Sequence, residues 1–587
     1  MGIRFFARRL WAFASVSLIV CSIGCHTAHS EEPATGGEAF RLSDEHIAAV
    51  NKRRRIVVNH PADGLLEGIR RKVSIENLLE YELGFTQEKG NQIDAQWWCL
   101  DRLFPLKSRP MHLRERKLTS FVEWDPAYDT IYRWAEEGFH ILREYLSATK
   151  ARGLECFYSY RISDAYCDTE FGEDFAAAHP EWTVEDEWAY KKWNFAIPEV
   201  RARKLAIMKE LAEDFDFDGL EIDFARGPNN LPKGRLWPYR DGLTKFLRDL
   251  RAKTLEVESS RRRPFLIAAR VPDTVVGCHF DGLDVETWIR ENLVDILVLG
   301  VRSYDLEIER FRYLIGTKPI KVYATLDDHH CTDGYSWPPI EVMRGVVANW
   351  YQQGMDTLQT FNWGTASPEV AAKTGMHVRQ AYRDDSDRIA VYQQAYRELG
   401  SPETLRFKDK TFVVQRRGGG GSGGSEVHDW HTPRASYQNT NMLAPLPALL
   451  DNTGKADTLV RLRVGDDVAA DAAKIQSLTL QILLSDPTTA QFPEDRTIER
   501  APINPFWTIP QLHTSPPVKG IEKQLEVRLN GVLLDQGIIQ DGWVVYRPNV
   551  KLFAVGENLV GVLVKGRDLA GAAMSLEKVE ARVDYLP

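Results

Sequence analysis

Between residues 55 and 363 the sequence alternates apolar, strand-like runs with stretches of helical periodicity, and this alternation constrains the fold more than any other feature. The candidate strands are RIVVNH (55–60), IDAQWW (93–98), LECFYSYR (154–161), GLEIDFAR (219–226), FLIAARV (265–271), DILVLGVR (295–302), IKVYATLD (320–327) and DTLQTFNW (356–363). Helices are legible between several of them. PEVRARKLAIMKELAEDF (198–215), for example, has a proline at its start, where the missing N–H costs nothing. Strand followed by helix in this way predicts parallel βαβ units. Eight of them predict an α/β domain, a (β/α)8 TIM barrel over residues 45–400 with loop insertions. A doubly wound sheet is the architectural rival, but no glycine-rich phosphate loop follows any strand.

Past residue 404 the pattern changes. TLVRLRV, SLTLQILL, QLEVRLNGVLL, GWVVYRP, NLVGVLVKG and EARVDYL are short β-rich runs separated by turn signals, with Asn530-Gly531 marking a hairpin. They predict an all-β sandwich over 404–587. GGGGSGG at 418–424 follows LRFKDKTFVVQ, itself strand-like, so it reads as a loop near the start of this domain, with an interdomain linker as the alternative.

The first thirty residues read as an export signal. MGIRFFARRLW carries Arg4, Arg8 and Arg9 without an acid, and AFASVSLIVCSIG then forms an apolar run too short to span a bilayer comfortably. Two processing routes stay open. Ser22-Ile23-Gly24-Cys25 resembles a bacterial lipobox, with Ser where Leu is preferred; lipidation of Cys25 would attach the chain to the outer membrane. Ala28-His29-Ser30 is a small-x-small cleavage site, which would leave a periplasmic or secreted protein. Loss of Arg4, Arg8 and Arg9 takes the net charge from −9 to −12, a balance that disfavours nucleic acid as a partner. Cys99, Cys156, Cys167, Cys278 and Cys331 remain, an odd number without CxxC spacing. At most two disulfides and no zinc site are expected.

Barrel sites lie at the C-terminal ends of the strands. Those ends carry Asn59 and His60, Trp97 and Trp98, Tyr160 and Arg161, then Glu221, Asp223 and Arg226. The later strands add Arg270 and Asp273, Arg302, Tyr304 and Asp305, Asp327 to His330, and Trp363. In GLEIDFAR, Leu220, Ile222 and Phe224 alternate with Glu221 and Asp223, so the apolar set should face the helices and both acids the lumen. Asp223 falls roughly 6.5 Å further along the strand, nearer the mouth. Neutralisation by Arg161, Arg226, Arg270 or Arg302 is the purely structural account of both acids.

NFAIPEVRARKLAIMKELAEDFDFDGLEIDFARGP, residues 194–228, resembles the corresponding segment of glycosyl hydrolase-like barrels, notably the glycosyl hydrolase-like 10 group. There a helix beginning NPEVR leads into a strand of the form DGI-x-x-D-[YF]-x-R-[YG]-P. Asn194, Pro198, Glu199, Val200, Arg201, Asp218, Gly219, Asp223, Phe224, Arg226 and Pro228 carry the match. The group's usual Tyr is Phe224 here, and its Arg-Tyr-Pro is Arg226-Gly227-Pro228. The resemblance implies a carbohydrate-active barrel with Asp223 in the active site. In the C-terminal region, LEVRLNGVLLDQG and WVVYRPNVKLFAVGENLVGVLVKG resemble the galactose-binding-like, jelly-roll sandwiches that accompany many glycosidases, which implies a domain that binds glycan or packs on the barrel.

Glycoside hydrolysis needs two carboxyl groups flanking the scissile bond. Asp223 is the expected nucleophile or base. Its partner is open between Asp305 after strand six, Asp327 or Asp328 after strand seven, and Glu221. Arg161, Arg226, Arg270 and Arg302 each end a strand and would together match carboxylate or sulfate groups of an anionic glycan, unless each pairs with a local acid. Trp98, Trp363, His60, Tyr160, Tyr304 and Asp328 complete the expected substrate-binding set, with the tryptophans as stacking platforms for sugar rings. Asp327-Asp328-His329-His330 admits a metal reading, but neighbours on a strand end point to opposite faces, so no metal or other cofactor is expected. The expectation is an exported glycoside hydrolase acting on a polysaccharide or oligosaccharide. Its rival is a non-catalytic glycan-binding protein on the same scaffold.

Overall fold

Eight parallel strands close on themselves: β1 Ile56–His60, β2 Ile93–Trp98, β3 Glu155–Arg161, β4 Gly219–Asp223, β5 Leu266–Val271, β6 Ile296–Leu299, β7 Lys321–Leu326 and β8 Thr357–Phe361. Each neighbours the next in sequence, and β1 closes the ring against β8. This is a TIM barrel. The computed structural model describes residues 37–62, 64–99, 106–107, 126–162, 178–185, 191–226, 230–232, 234, 236–300, 303–327, 335, 338–363, 366–377, 386–416, 444–486, 520–567 and 573–587.

Alternation along the strands sorts the interior into two cores. Ile56, Val58, Trp98, Tyr158, Leu220, Ile222, Ile267, Leu297 and Val322 face outward and pack under the helices. Val57, Ala95, Trp97, Phe157, Leu266, Ala268, Ile296, Val298 and Tyr323 face inward and fill the lower lumen. Trp97 stacks on Phe157 with centroids 4.6 Å apart and lies 6.0 Å from Tyr323, so the barrel floor is an aromatic plug. Both faces of a parallel sheet are buried, which is why these strands read as nearly continuous apolar runs.

Buried charge ties the N-terminal helix Asp44–Asn51 to the barrel. His46 bridges Glu258 (2.6 Å) and Asp295 (2.9 Å), and Arg251 reaches Asp295 from the same helix that carries Glu258, Asp241–Arg261. Asp295 immediately precedes β6 and accepts the backbone N–H of Ile267 in β5 at 2.7 Å. Partners on every side offset the cost of burying these charges.

The C-terminal region is a sandwich of two antiparallel sheets. One contains β9 Lys410–Val413, β10 Ala448–Leu449, β12 Ile475–Ser485, β15 Ile538–Gln540, β16 Trp543–Tyr546 and β18 Ser575–Tyr585. The other contains β11 Thr458–Val464, β13 Leu525–Leu529, β14 Val532–Leu533 and β17 Gly556–Val564. Phe412, Leu462, Leu480, Val527, Val544, Val562 and Val579 meet between them. Barrel and sandwich belong to one compact unit, Ala39–Pro587. Helix Ile340–Gln352 packs on β9 so closely that a Cβ on Gly345 would collide with the Thr411 carbonyl. Tyr335 donates to Glu580 (2.8 Å), and Gln415 to Ser303 (2.6 Å), across the same seam. Among the described residues no helix is long and apolar enough to cross a membrane. The GGGGSGG stretch and Cys25 lie outside the described residues.

Candidate active site

Above the aromatic plug the lumen becomes polar. Glu221 of β4 is fully buried and reaches across to three strands. Its Oε2 accepts from Asn59 Nδ2 of β1 (2.6 Å) and from the Ser159 hydroxyl of β3, while Oε1 accepts from Gln359 Nε2 of β8 (2.8 Å). Thr325 of β7 donates to the Gln359 carbonyl oxygen (2.9 Å), which leaves the amide nitrogen for Glu221. Asn59 also donates to Ser159 (2.9 Å). Burial, then repulsion from Asp223, raises the Glu221 carboxyl to about 7, opposed by the bonds from Gln359 and Ser159 and by the charge of Arg270.

Asp223 lies one turn of the alternation higher and is fully buried. Its Oδ1 accepts the backbone N–H groups of Ala225 (3.0 Å) and Arg226 (2.8 Å), and its Oδ2 lies 3.1 Å from Arg270 Nη1. Strand register explains this pairing, because Asp223 is flanked by Arg161 on β3 and Arg270 on β5. The two guanidiniums sit over the ring of Phe361 from β8, 5.5 and 3.8 Å from its centroid. Arg270 also donates to the Gly300 carbonyl (3.2 Å), and its buried Nη2 has no hydrogen-bond partner among the described residues. Arg161 donates to Asn362 Oδ1 (3.2 Å), on a residue held at φ +57 just past β8. A non-glycine residue there is a strained position of the kind found at functional sites.

Asp327 follows the last residue of β7, Leu326, and is buried. The structure therefore gathers Glu221, Asp223, Arg161 and Arg270 on one face of the barrel wall, and Asp327 lies at the C-terminal end of β7. Arg226 is half-buried beside them. Arg302, Asp328, His329 and His330 lie outside the described residues. Among the described residues no group of three or more His, Cys, Asp or Glu side chains is arranged to hold a metal ion. Cys99, Cys156 and Cys278 are buried, and Cys156 and Cys278 are free thiols.

Five other expected site residues do not line the lumen. His60, Trp98 and Tyr160 are each one position out of phase with the inward set, and a shift of one residue reverses a strand's faces. Trp98 donates to Thr149 (2.9 Å) and packs edge-on against Tyr145 under the helices. Tyr160 accepts from Lys204 (2.9 Å). His60 Nδ1 accepts the Ala62 N–H (3.0 Å), and burial pushes the imidazole down to about 3, which keeps it neutral. Trp363 lies past the turn at Asn362 and stacks on Tyr392 at 4.3 Å. Tyr304 is buried and donates to the Tyr335 carbonyl (3.1 Å).

Asp305 is displaced for a different reason. β6 ends at Leu299, and Gly300 turns the chain at φ +99, so strand alternation does not carry through to Asp305. Its carboxyl opens into a cleft of about 750 Å3 between barrel and sandwich, where its charged neighbours are Arg463, Glu557, Glu307 and Arg461. The side chain is solvent-accessible yet deep in that cleft, and the surrounding protein raises its carboxyl. Sequence reasoning passed over Ser159, Thr325, Gln359 and Phe361. The signal for them was present, since each shares the phase of Glu221 and Asp223 on its own strand.

No protein-family model matches the chain, and no curated protein matches its sequence. Solved structures similar to it include an alpha-L-fucosidase isoenzyme from Paenibacillus thiaminolyticus, at 12% identity and a TM-score of 0.36 over 62% of this chain and 51% of that one. An exo beta-N-acetylglucosaminidase from Vibrio harveyi matches at 12% identity and 0.32, over 58% and 57%. An Anoxybacillus alpha-amylase matches at 11% identity and 0.35, over 87% and 98%. The chain thus spans about half the length of the fucosidase and of the acetylglucosaminidase. TM-scores this low carry nothing further, and the fold stands on the closed strand order alone.

Proposed function

We propose that this chain is an exported glycoside hydrolase that cleaves glycosidic bonds of a polysaccharide bearing acidic groups. One observation carries the reading: an arginine-paired aspartate, Asp223, at the C-terminal end of β4, with a second buried carboxyl, Asp327, just past the C-terminal end of β7. Asp223 is the nucleophile or base, and Asp327 the proton donor to the leaving oxygen. Glu221, held by three neutral donors, is a supporting group that fixes the wall beneath Asp223. Arg161 and Arg270 flank Asp223 and present two guanidiniums for one carboxylate, which favours a uronate or sulfate on the substrate. The likeness of residues 194–228 to the glycosyl hydrolase-like 10 group supports the same assignment, as does the N-terminal signal for export with either Cys25 lipidation or cleavage after Ser30.

The test is digestion of a glycan library by wild type and Asp223→Asn side by side. Hydrolysis should fall by orders of magnitude in the variant, and anionic chains should be cut in preference to neutral ones. Undiminished hydrolysis in the variant would remove Asp223 from the mechanism. The occupation of both Asp223 oxygens in the present geometry favours a second reading, a glycan-binding protein without catalysis. Binding that survives Asp223→Asn, with no cleavage by wild type, would select it.

A further inference from the structure

A second pocket, of about 480 Å3, opens at the seam where the sandwich meets the barrel. This lies within the range of roughly 300–1,000 Å3 usual for small-molecule sites. Strand alternation builds one wall. On β16, Val544 and Tyr546 enter the sandwich core, which turns Trp543 outward. On β18, Val579, Ala581 and Val583 do the same, which turns Lys578, Glu580, Arg582 and Asp584 outward. Leu483 of β12 pairs with Trp543 on one side and Lys578 on the other, so these residues share one face of the sheet. The barrel contributes Tyr335, Pro338, Pro339 and Glu341 to the opposite wall.

A fixed scaffold orients this face. Glu580 accepts from Tyr335 (2.8 Å), from Gln481 (2.7 Å) and from Arg582 (3.0 Å). Lys578 Nζ rests 3.8 Å over the Tyr335 ring, and the Arg582 guanidinium lies 5.7 Å from the Trp543 ring. Trp543 is half-buried, and Arg582 and Asp584 are exposed. One indole therefore stands among three cations, Lys410, Lys578 and Arg582, and three acids, Glu341, Glu580 and Asp584. Such a set suits a sugar: the ring takes the apolar C–H face of a pyranose, and the flanking groups donate to and accept from its hydroxyls. Tyr335 lies eight residues beyond Asp327 in the sequence.

We propose that this seam pocket is a second glycan-binding subsite, which holds a stretch of polysaccharide outside the lumen while the chain is presented to the barrel. The choice of ligand rests on the carbohydrate reading of the barrel; the pocket is tested independently of it. Affinity electrophoresis of the full chain in gels containing xylan, galactomannan, polygalacturonate or alginate reads binding directly. Wild type and Asp223→Asn should be retarded by at least one of these glycans. Trp543→Ala should lose about tenfold or more in apparent affinity, with an unchanged melting temperature and unchanged turnover of short chromogenic glycosides. Trp543→Phe should keep most of the binding. Retardation of Trp543→Ala equal to that of wild type, or no retardation of wild type by any of the four, overturns the proposal. Trp543-dependent retardation without hydrolysis by wild type would sustain the subsite and sink the hydrolase reading instead.

Discussion

Glu221 and Asp223 share a strand face but have distinct surroundings, and the difference has measurable consequences. Glu221 holds its proton to higher pH in the folded chain than the ordinary glutamate value of 4.5. Its ionisation therefore opposes folding, and its contribution to stability falls as pH rises from about 4.5 towards 7. Glu221→Gln should remove that slope, so the melting-temperature difference between variant and wild type should change across this window; a constant difference would contradict it. Asp223 depends on a partner instead. Arg270→Met would leave a buried carboxylate without its ion-pair partner and should cost roughly 3–5 kcal/mol, measured by denaturant unfolding. Both acids were legible in the sequence, because two carboxylates in phase on an otherwise apolar strand must face a polar interior. The glutamine and serine that bind Glu221, and the threonine that orients that glutamine, were hidden, since neutral polar residues within apolar runs look unremarkable until their phase is compared across strands.

Helix and strand placements carried their own lessons. All eight barrel strands were readable from apolar runs bounded by helical patterns, and each observed strand begins and ends inside or at the limits of its run. What misled was carrying the strand direction to the end of a run and beyond it. Gly300 and Asn362 turn the chain before Asp305 and Trp363, which sends those side chains to the sandwich cleft and the helix layer. Two elements are held by contacts that a single substitution tests. Gly345→Ala would drive helix Ile340–Gln352 away from β9 and should cost about 1–3 kcal/mol, read as a lower unfolding midpoint. His46 is raised above 6.5 by Asp295 and Glu258 against the lowering effect of burial. Its contribution to stability is then complete below 6.5 and is lost as pH rises past the raised value. His46→Gln should therefore lower the melting temperature more at pH 6 than at pH 9. An equal loss at both would mean that charge plays no part in anchoring the first helix.

Barrel and sandwich share buried hydrogen bonds and a backbone approach that only glycine permits, so they should not behave as independent modules. Calorimetry of the full chain should show one cooperative transition. A chain ending before residue 404 should melt lower than the whole, because the face of Ile340–Gln352 that meets β9 would lose its cover. Two separate transitions, with the first leaving the barrel intact, would contradict this. The plug of Trp97, Phe157 and Tyr323 has a further consequence for the molecule as a whole. It makes the lumen a blind alley: whatever enters past Asp223 must leave by the same doorway. On the proposed hydrolysis, departing fragments and arriving chains compete for one passage, so accumulated product should slow the uptake of fresh material.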